Sequence, residues 1–145
     1  MTRHIRRIAI CTGGGDAPGL NAVIRSVVIS AARRGWECYG IREGFNGILF
    51  HERYPEGGVF RLTPERVRGI GHLGGTILGT TNRGNPLQFP MKMPDGTTKE
   101  VDRTDEILEF FAKQELDALV SVGGDGSLTI AYALLRAGGA PISKM

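Results

Sequence analysis

Short apolar runs alternate with longer amphipathic stretches along this chain, and the change of period marks the elements. Residues 5–11 interleave basic positions with Ile5, Ile8, Ala9 and Ile10, which predicts a first strand. Val23, Ile24, Val27, Val28 and Ala31 then recur at helical spacing, so residues 21–34 are predicted helical, with Arg33 and Arg34 at the negative end of the dipole and Gly35 as the stop. Glu37–Ile41 reads as a second strand and Gly44-Phe45-Asn46-Gly47 as a turn. Residues 55–58 form a surface turn, and residues 64–68 a short helical turn with Thr63 as cap and Pro64 in first position. Residues 89–101 hold Pro94-Asp95-Gly96 between β-friendly positions, a small hairpin or a surface excursion. Thr104 can cap a helix with Asp105 and Glu106 in its first turn and an apolar stripe of Ile107, Leu108 and Phe111. Ala118–Val122 is too short for a helix and is stopped by two glycines, so it reads as a buried strand of the parallel kind, followed by a helix over residues 128–136. Strands separated by helices imply right-handed parallel crossovers and a layered α/β sheet.

The loops carry the chemistry. Two strands run straight into glycine, at Thr12-Gly13-Gly14-Gly15-Asp16 and at Gly123-Gly124-Asp125-Gly126-Ser127, and each loop leads into a helix. Glycines admit a phosphate chain close to the backbone, a helix N-terminus offers unpaired N–H groups, and one carboxylate can hold a hard cation bridging phosphate oxygens. Taken alone, Gly-Asp-Gly reads equally well as ordinary turn chemistry. A third glycine-rich loop, residues 74–86, ends near Arg83, whose planar fork suits a phosphate, although a lone loop arginine is more often just solvated. All three loops are expected on one edge of the sheet. The first loop matches neither Gly-x-Gly-x-x-Gly nor the Walker pattern.

Composition narrows the classes. The 145 residues are 41% apolar, enough for one packed domain, and 22 glycines concentrate in the loops. A net charge of +3 without a continuous basic run favours anionic small ligands over nucleic acid. Cys11 and Cys38 lack metal spacing and are expected to be buried thiols. His4, His51 and His72 have no common spacing, which leaves a hydrolase triad or zinc site without support. Neither a membrane span nor a signal peptide is evident, and a cytoplasmic location is the expectation.

Taken together, Gly14-Gly15-Asp16-Ala17-Pro18-Gly19-Leu20-Asn21, Gly74-Gly75-Thr76-Ile77-Leu78-Gly79 and Gly123-Gly124-Asp125-Gly126-Ser127 resemble the N-terminal part of the 6-phosphofructokinase family. Gly-Gly-Asp-Gly-Ser/Thr also occurs in NAD and lipid kinases, which resemble this chain only at that last loop. The resemblance implies a layered, Rossmann-like parallel-sheet α/β fold over residues 1–145 and phosphoryl transfer from ATP to fructose 6-phosphate with Mg²⁺. It also implies a cytoplasmic, homotetrameric or dimeric parent. By the same resemblance, Gly14 matches a nucleotide-contacting glycine, and Phe45 stands where an aromatic residue lies near the adenine. Arg83 matches the arginine that reaches the transferring phosphate, one residue later than in the commonest pattern, with Gly84 beside it. Gly124, Asp125, Gly126 and Ser127 match the nucleotide loop, Asp125 being the Mg²⁺ ligand. Arg25 matches an effector-site arginine, while Ile29 replaces the second basic residue of allosteric members. The family's catalytic aspartate belongs to a Thr-Ile-Asp-Asn-Asp element that follows, whereas this sequence ends Pro141-Ile142-Ser143-Lys144-Met145. The expectation is therefore an N-terminal part, incomplete at its C-terminus and inactive alone. A pyrophosphate-dependent phosphofructokinase and a non-catalytic nucleotide-binding module are the alternatives.

Overall fold

The structure is a computed structural model, and it describes residues 4–13 and 17–138. A four-stranded sheet in the order β3-β2-β1-β6 forms its centre. Strand β1 (Arg7–Thr12) lies between β2 (Glu37–Ile41) and β6 (Ala118–Val122), parallel to both, while β3 (Val59–Leu62) closes one edge antiparallel to β2. Helix α1 (Leu20–Arg33), the single turn α2 (Asn46–Leu49), α3 (Thr104–Lys113) and α4 (Asp125–Ala137) complete the layers. Strands β4 (Phe89–Lys92) and β5 (Thr98–Val101) form a separate hairpin.

The central strand is apolar from Ile8 to Cys11 because both of its faces are covered. Ile8 and Ile10 pack with Ile24, Val28 and Ala31 of α1 and with Cys38 and Leu62. Ala9 and Cys11 point the other way, into a cluster with Ile41, Phe45, Ile48, Ile107 and Leu134. Helix α1 buries Leu20, Asn21, Ile24, Val28 and Ala31, a narrow stripe that leaves its charged face in water. Cys11 and Cys38 are buried free thiols, and burial pushes them up to about 11 and about 12 respectively.

Four local expectations need correction, while the 89–101 hairpin and the Thr63 cap hold. The connections are not all parallel crossovers: Val59–Leu62, a run of four residues after Gly57-Gly58, returns antiparallel as the edge strand β3. The turn at Gly44–Gly47 continues into α2, with Phe45 at its N-cap position. Thr104 is not the cap of α3 but its first residue; the Asp102 carboxylate accepts from the Thr104 amide (2.9 Å) and hydroxyl (2.7 Å), and these bonds hold Asp102 below the usual carboxylate range. Helix α4 starts at Asp125 instead of 128, so the glycine motif supplies its first turn. The 89–101 stretch is a hairpin, its turn fixed by Asp95, which accepts from the Thr97 amide and hydroxyl. The Thr63 hydroxyl accepts from the Arg66 amide at 3.4 Å at the start of the next turn.

Candidate functional site

Register places the loops. Thr12 pairs with Val122 and Ile10 with Gly40, so the three parallel strands end level, and their outgoing loops leave side by side. The Gly13 amide donates to the Val122 carbonyl (2.8 Å), extending the β1–β6 ladder into the glycines. A Cβ on Gly13 would stand 2.4 Å from the Ser127 Oγ, and one on Gly123 2.3 Å from the same oxygen and 2.7 Å from the Gly13 carbonyl. Gly123 therefore has to be glycine if the two loops are to touch, whereas a side chain at Gly13 would have to turn the Ser127 hydroxyl away.

The third loop is tied to the two ends of the first by two buried polar side chains. The fully buried Thr12 hydroxyl donates to the Gly79 carbonyl (2.8 Å), which leaves the Thr76 hydroxyl as donor in their mutual 2.9 Å bond. Asn21 donates to the carbonyls of Leu73 (3.3 Å) and Gly74 (3.2 Å) and accepts from the Ile77 amide (2.8 Å). One amide side chain thus satisfies three main-chain groups of a segment that has no ladder of its own. Replacing Asn21 with leucine is expected to lower stability by about 2–3 kcal/mol, because buried main-chain groups lose their partners; chemical denaturation of both proteins measures it.

These ties shape a cleft of about 270 Å³ walled by Thr12 and Gly13, by Phe45, by Arg83 and Gly84, and by Gly124, Gly126 and Ser127. Of the residues singled out in the sequence, Phe45, Arg83, Gly84, Gly124, Gly126 and Ser127 meet on this cleft. Phe45 is also core, only 6% exposed among Cys11, Ile41 and Leu49, so it offers the cleft only a small part of its ring. Arg83 is exposed, and no ion pair engages it among the described residues; its main chain is held by Thr81, whose hydroxyl accepts from the Arg83 amide (3.1 Å) and donates to the Arg83 carbonyl (3.0 Å). Asp125 is exposed at the first position of α4, between two glycines of the cleft wall. Gly14 lies outside the described residues. Arg25 stands exposed on α1 with its Cδ beside Gly71, away from the cleft. Thr12 and Asn21 were not singled out for a role by their sequence; the signal available was a polar residue at each end of the first glycine loop.

A larger groove of about 1130 Å³ runs beside Leu108, Phe111, Leu119 and Tyr132. It opens at Arg7, Glu37 and Asp117, the starts of the strands. Ligands of open α/β sheets gather at the opposite, carboxyl ends, where the smaller cleft lies.

A sheet covered on both faces, with glycine loops and helix N-termini gathered where its parallel strands end, is the architecture of an α/β phosphate-handling domain. The chain belongs to the phosphofructokinase family, whose model matches residues 7–144. It is 47% identical over 133 residues to ATP-dependent 6-phosphofructokinase 1 of Nostoc sp., covering 92% of this chain and 35% of that protein. It is 46% identical over 137 residues to the protein of the same name from Synechocystis sp., covering 94% and 36% respectively. Among solved structures, Pichia pastoris phosphofructokinase in the T-state matches with a TM-score of 0.74 at 30% identity, over 100% of this chain and 14% of that one. The phosphofructokinase from Saccharomyces cerevisiae matches with a TM-score of 0.71 at 32% identity, over 92% and 16%. The chain spans about a third of the length of the curated relatives it matches.

Proposed function

We propose that this chain is the nucleotide-binding part of an ATP-dependent 6-phosphofructokinase, which transfers the γ-phosphate of ATP to fructose 6-phosphate. The observation that carries the reading is the meeting of Gly13, Gly124, Gly126 and Ser127 with Arg83 on one cleft at the strand ends. The curated relatives named ATP-dependent 6-phosphofructokinase support ATP as the donor. In this reading the main chain at the start of α4 presents N–H groups to the phosphates, and Gly13 and Gly124 let the chain approach without a side chain between. The Arg83 guanidinium, free of ion pairs among the described residues, clamps two phosphate oxygens and lowers the charge repelling an incoming hydroxyl. Phe45 flanks the base, and Gly14 is carried as a further nucleotide-contacting glycine.

Asp125 fits a Mg²⁺ site: it is exposed, no ion pair occupies it among the described residues, and a Cβ on either neighbouring glycine would meet nothing within 4 Å, so a hydrated ion has room. The ion would supply charge neutralisation across the transferring phosphates. Arg25 is proposed for an effector site. The reading also carries a cytoplasmic, homo-oligomeric parent; no helix among the described residues is long and apolar enough to cross a membrane.

A coupled assay on the protein expressed from its full reading frame tests the proposal. ADP formation that depends on fructose 6-phosphate, at a kcat on the order of 1–100 s⁻¹, is the expected result. Turnover with pyrophosphate instead of ATP would overturn the donor, and nucleotide binding without turnover would leave only a binding module.

A further inference from the structure

Arg103 is the one buried charged side chain among the described residues, at 8% exposure, and it does not reach the cleft. Its Nε and Nη2 donate to the two Glu106 oxygens at 2.5 and 2.8 Å, and Nη2 also donates to the Leu49 carbonyl at 3.3 Å. The guanidinium lies 4.9 Å from the centre of the Phe89 ring and 5.1 Å from that of Phe50, the two rings being 5.4 Å apart. Its own main-chain amide donates to the Pro86 carbonyl at 2.7 Å. Phe89 in turn lies directly under Gly84: a Cβ there would come within 2.4 Å of the ring, and Gly84 has φ +81°.

One residue thus grips the cleft rim at two points, the Pro86 carbonyl and, through Phe89, Gly84. A simple helix-surface pair with Glu106, which is half exposed, would need neither the burial nor the two aromatic faces. A guanidinium held by a two-pronged carboxylate and stacked on rings is fixed in direction as well as position, so it can transmit a position to what it touches. The hairpin β4–β5 meets the rim at the turn Pro86–Gln88 and at Phe89 beneath Gly84, and Arg103 touches both places.

We propose that Arg103 is a positioning residue for the nucleotide cleft: anchored by Glu106, it fixes Phe89 and Pro86 and thereby holds the Arg83–Gly84 rim against the glycine loops. The ligand part of this inference rests on the nucleotide reading above; the positioning part does not.

The test uses Arg103→Met, which fills the volume without the charge and leaves Glu106 to water, and Arg103→Lys, which keeps the charge over the rings and loses the fork, both in the protein from its full reading frame. Amide exchange of a peptide covering residues 83–89 and affinity for a fluorescent, non-hydrolysable ATP analogue are measured together. In Arg103→Met, exchange at 83–89 is expected to quicken about tenfold and analogue affinity to fall about tenfold, with α1 exchange unchanged and partial recovery in Arg103→Lys. Unchanged exchange at 83–89 in folded variants overturns the proposal. So does exchange that quickens equally across the chain, the mark of a merely structural role. If Arg103→Met does not fold, Arg103→Lys and Phe89→Leu decide by the same readouts. A wild-type protein that binds no analogue defeats the nucleotide reading, while exchange still decides the role of Arg103.

Discussion

Asp125→Asn is expected to lower phosphoryl-transfer turnover about 10²–10³-fold while leaving the melting temperature of the protein within a few degrees of wild type. The two halves of this expectation come from different features of the same residue. Asp125 is exposed at the first position of α4, and its main-chain carbonyl, not its carboxylate, takes the Thr129 hydroxyl at 2.9 Å. Asparagine keeps the size and is tolerated in a first helical turn, and the lost dipole interaction is typically only about 0.3–1 kcal/mol. The chemistry has more at stake. A metal acting on phosphoryl oxygens contributes several kcal/mol to the transition state, and each 1.36 kcal/mol is about a factor of ten in rate. The measurement is kcat as a function of Mg²⁺ concentration beside a thermal melt. Near-normal turnover at ordinary Mg²⁺ would remove Asp125 from the metal, and a collapsed melt would show that the carboxylate serves the fold instead.

How far the sequence reveals this arrangement depends on how local the causes are. The parallel strands β1, β2 and β6 are legible because each is a short apolar run bounded by glycine or charge, and α1 because its stripe of Ile24, Val28 and Ala31 repeats without interruption. Strand β3 is not legible: Val59–Leu62 is only four residues long and shows no regular alternation, and what makes it a strand is the free edge of β2 beside it. The start of α4 is missed because Gly124, Asp125 and Gly126 have poor intrinsic helix propensity, and the helix is set by its packing through Ile130 and Leu134. The same contrast holds at the cleft. Its glycines and Arg83 carry a chemical signature and can be read directly. Thr12 and Asn21 act through partners 64 residues apart for Thr12–Thr76 and 56 for Asn21–Ile77, so no window of sequence contains the interaction, and Arg103 joins its helical neighbour Glu106 to the Leu49 carbonyl 54 residues away. Thr104 shows a smaller failure of the same kind, since Arg103 takes the N-cap position and the carboxylate that receives the Thr104 amide and hydroxyl is that of Asp102, two residues earlier.

Gly126→Asp is expected to cut kcat/KM for ATP by 10²-fold or more without weakening the fold. Gly126 is the second residue of α4 and lines the cleft, and a Cβ built on it meets no atom within 4 Å. The added side chain therefore displaces nothing in the protein and extends into open space. An aspartate in the first turn of a helix is also favourable to the dipole, and replacing glycine there reduces the freedom of the unfolded chain, so stability should hold or rise by about 0.5–1 kcal/mol. The cost falls on the ligand. In the proposed nucleotide reading, a carboxylate at this point occupies the room that the inner phosphate would need, and like charges brought together cost several kcal/mol, which at about 1.4 kcal/mol per decade gives the stated loss. Pyrophosphate lacks the nucleoside and its inner phosphate, so any activity with that donor should fall less or not at all. Paired assays with ATP and pyrophosphate, run on wild type and variant from the full reading frame, read both numbers. ATP turnover within about twofold of wild type would mean that the nucleotide does not pass Gly126, and the donor would have to be bound elsewhere on the cleft.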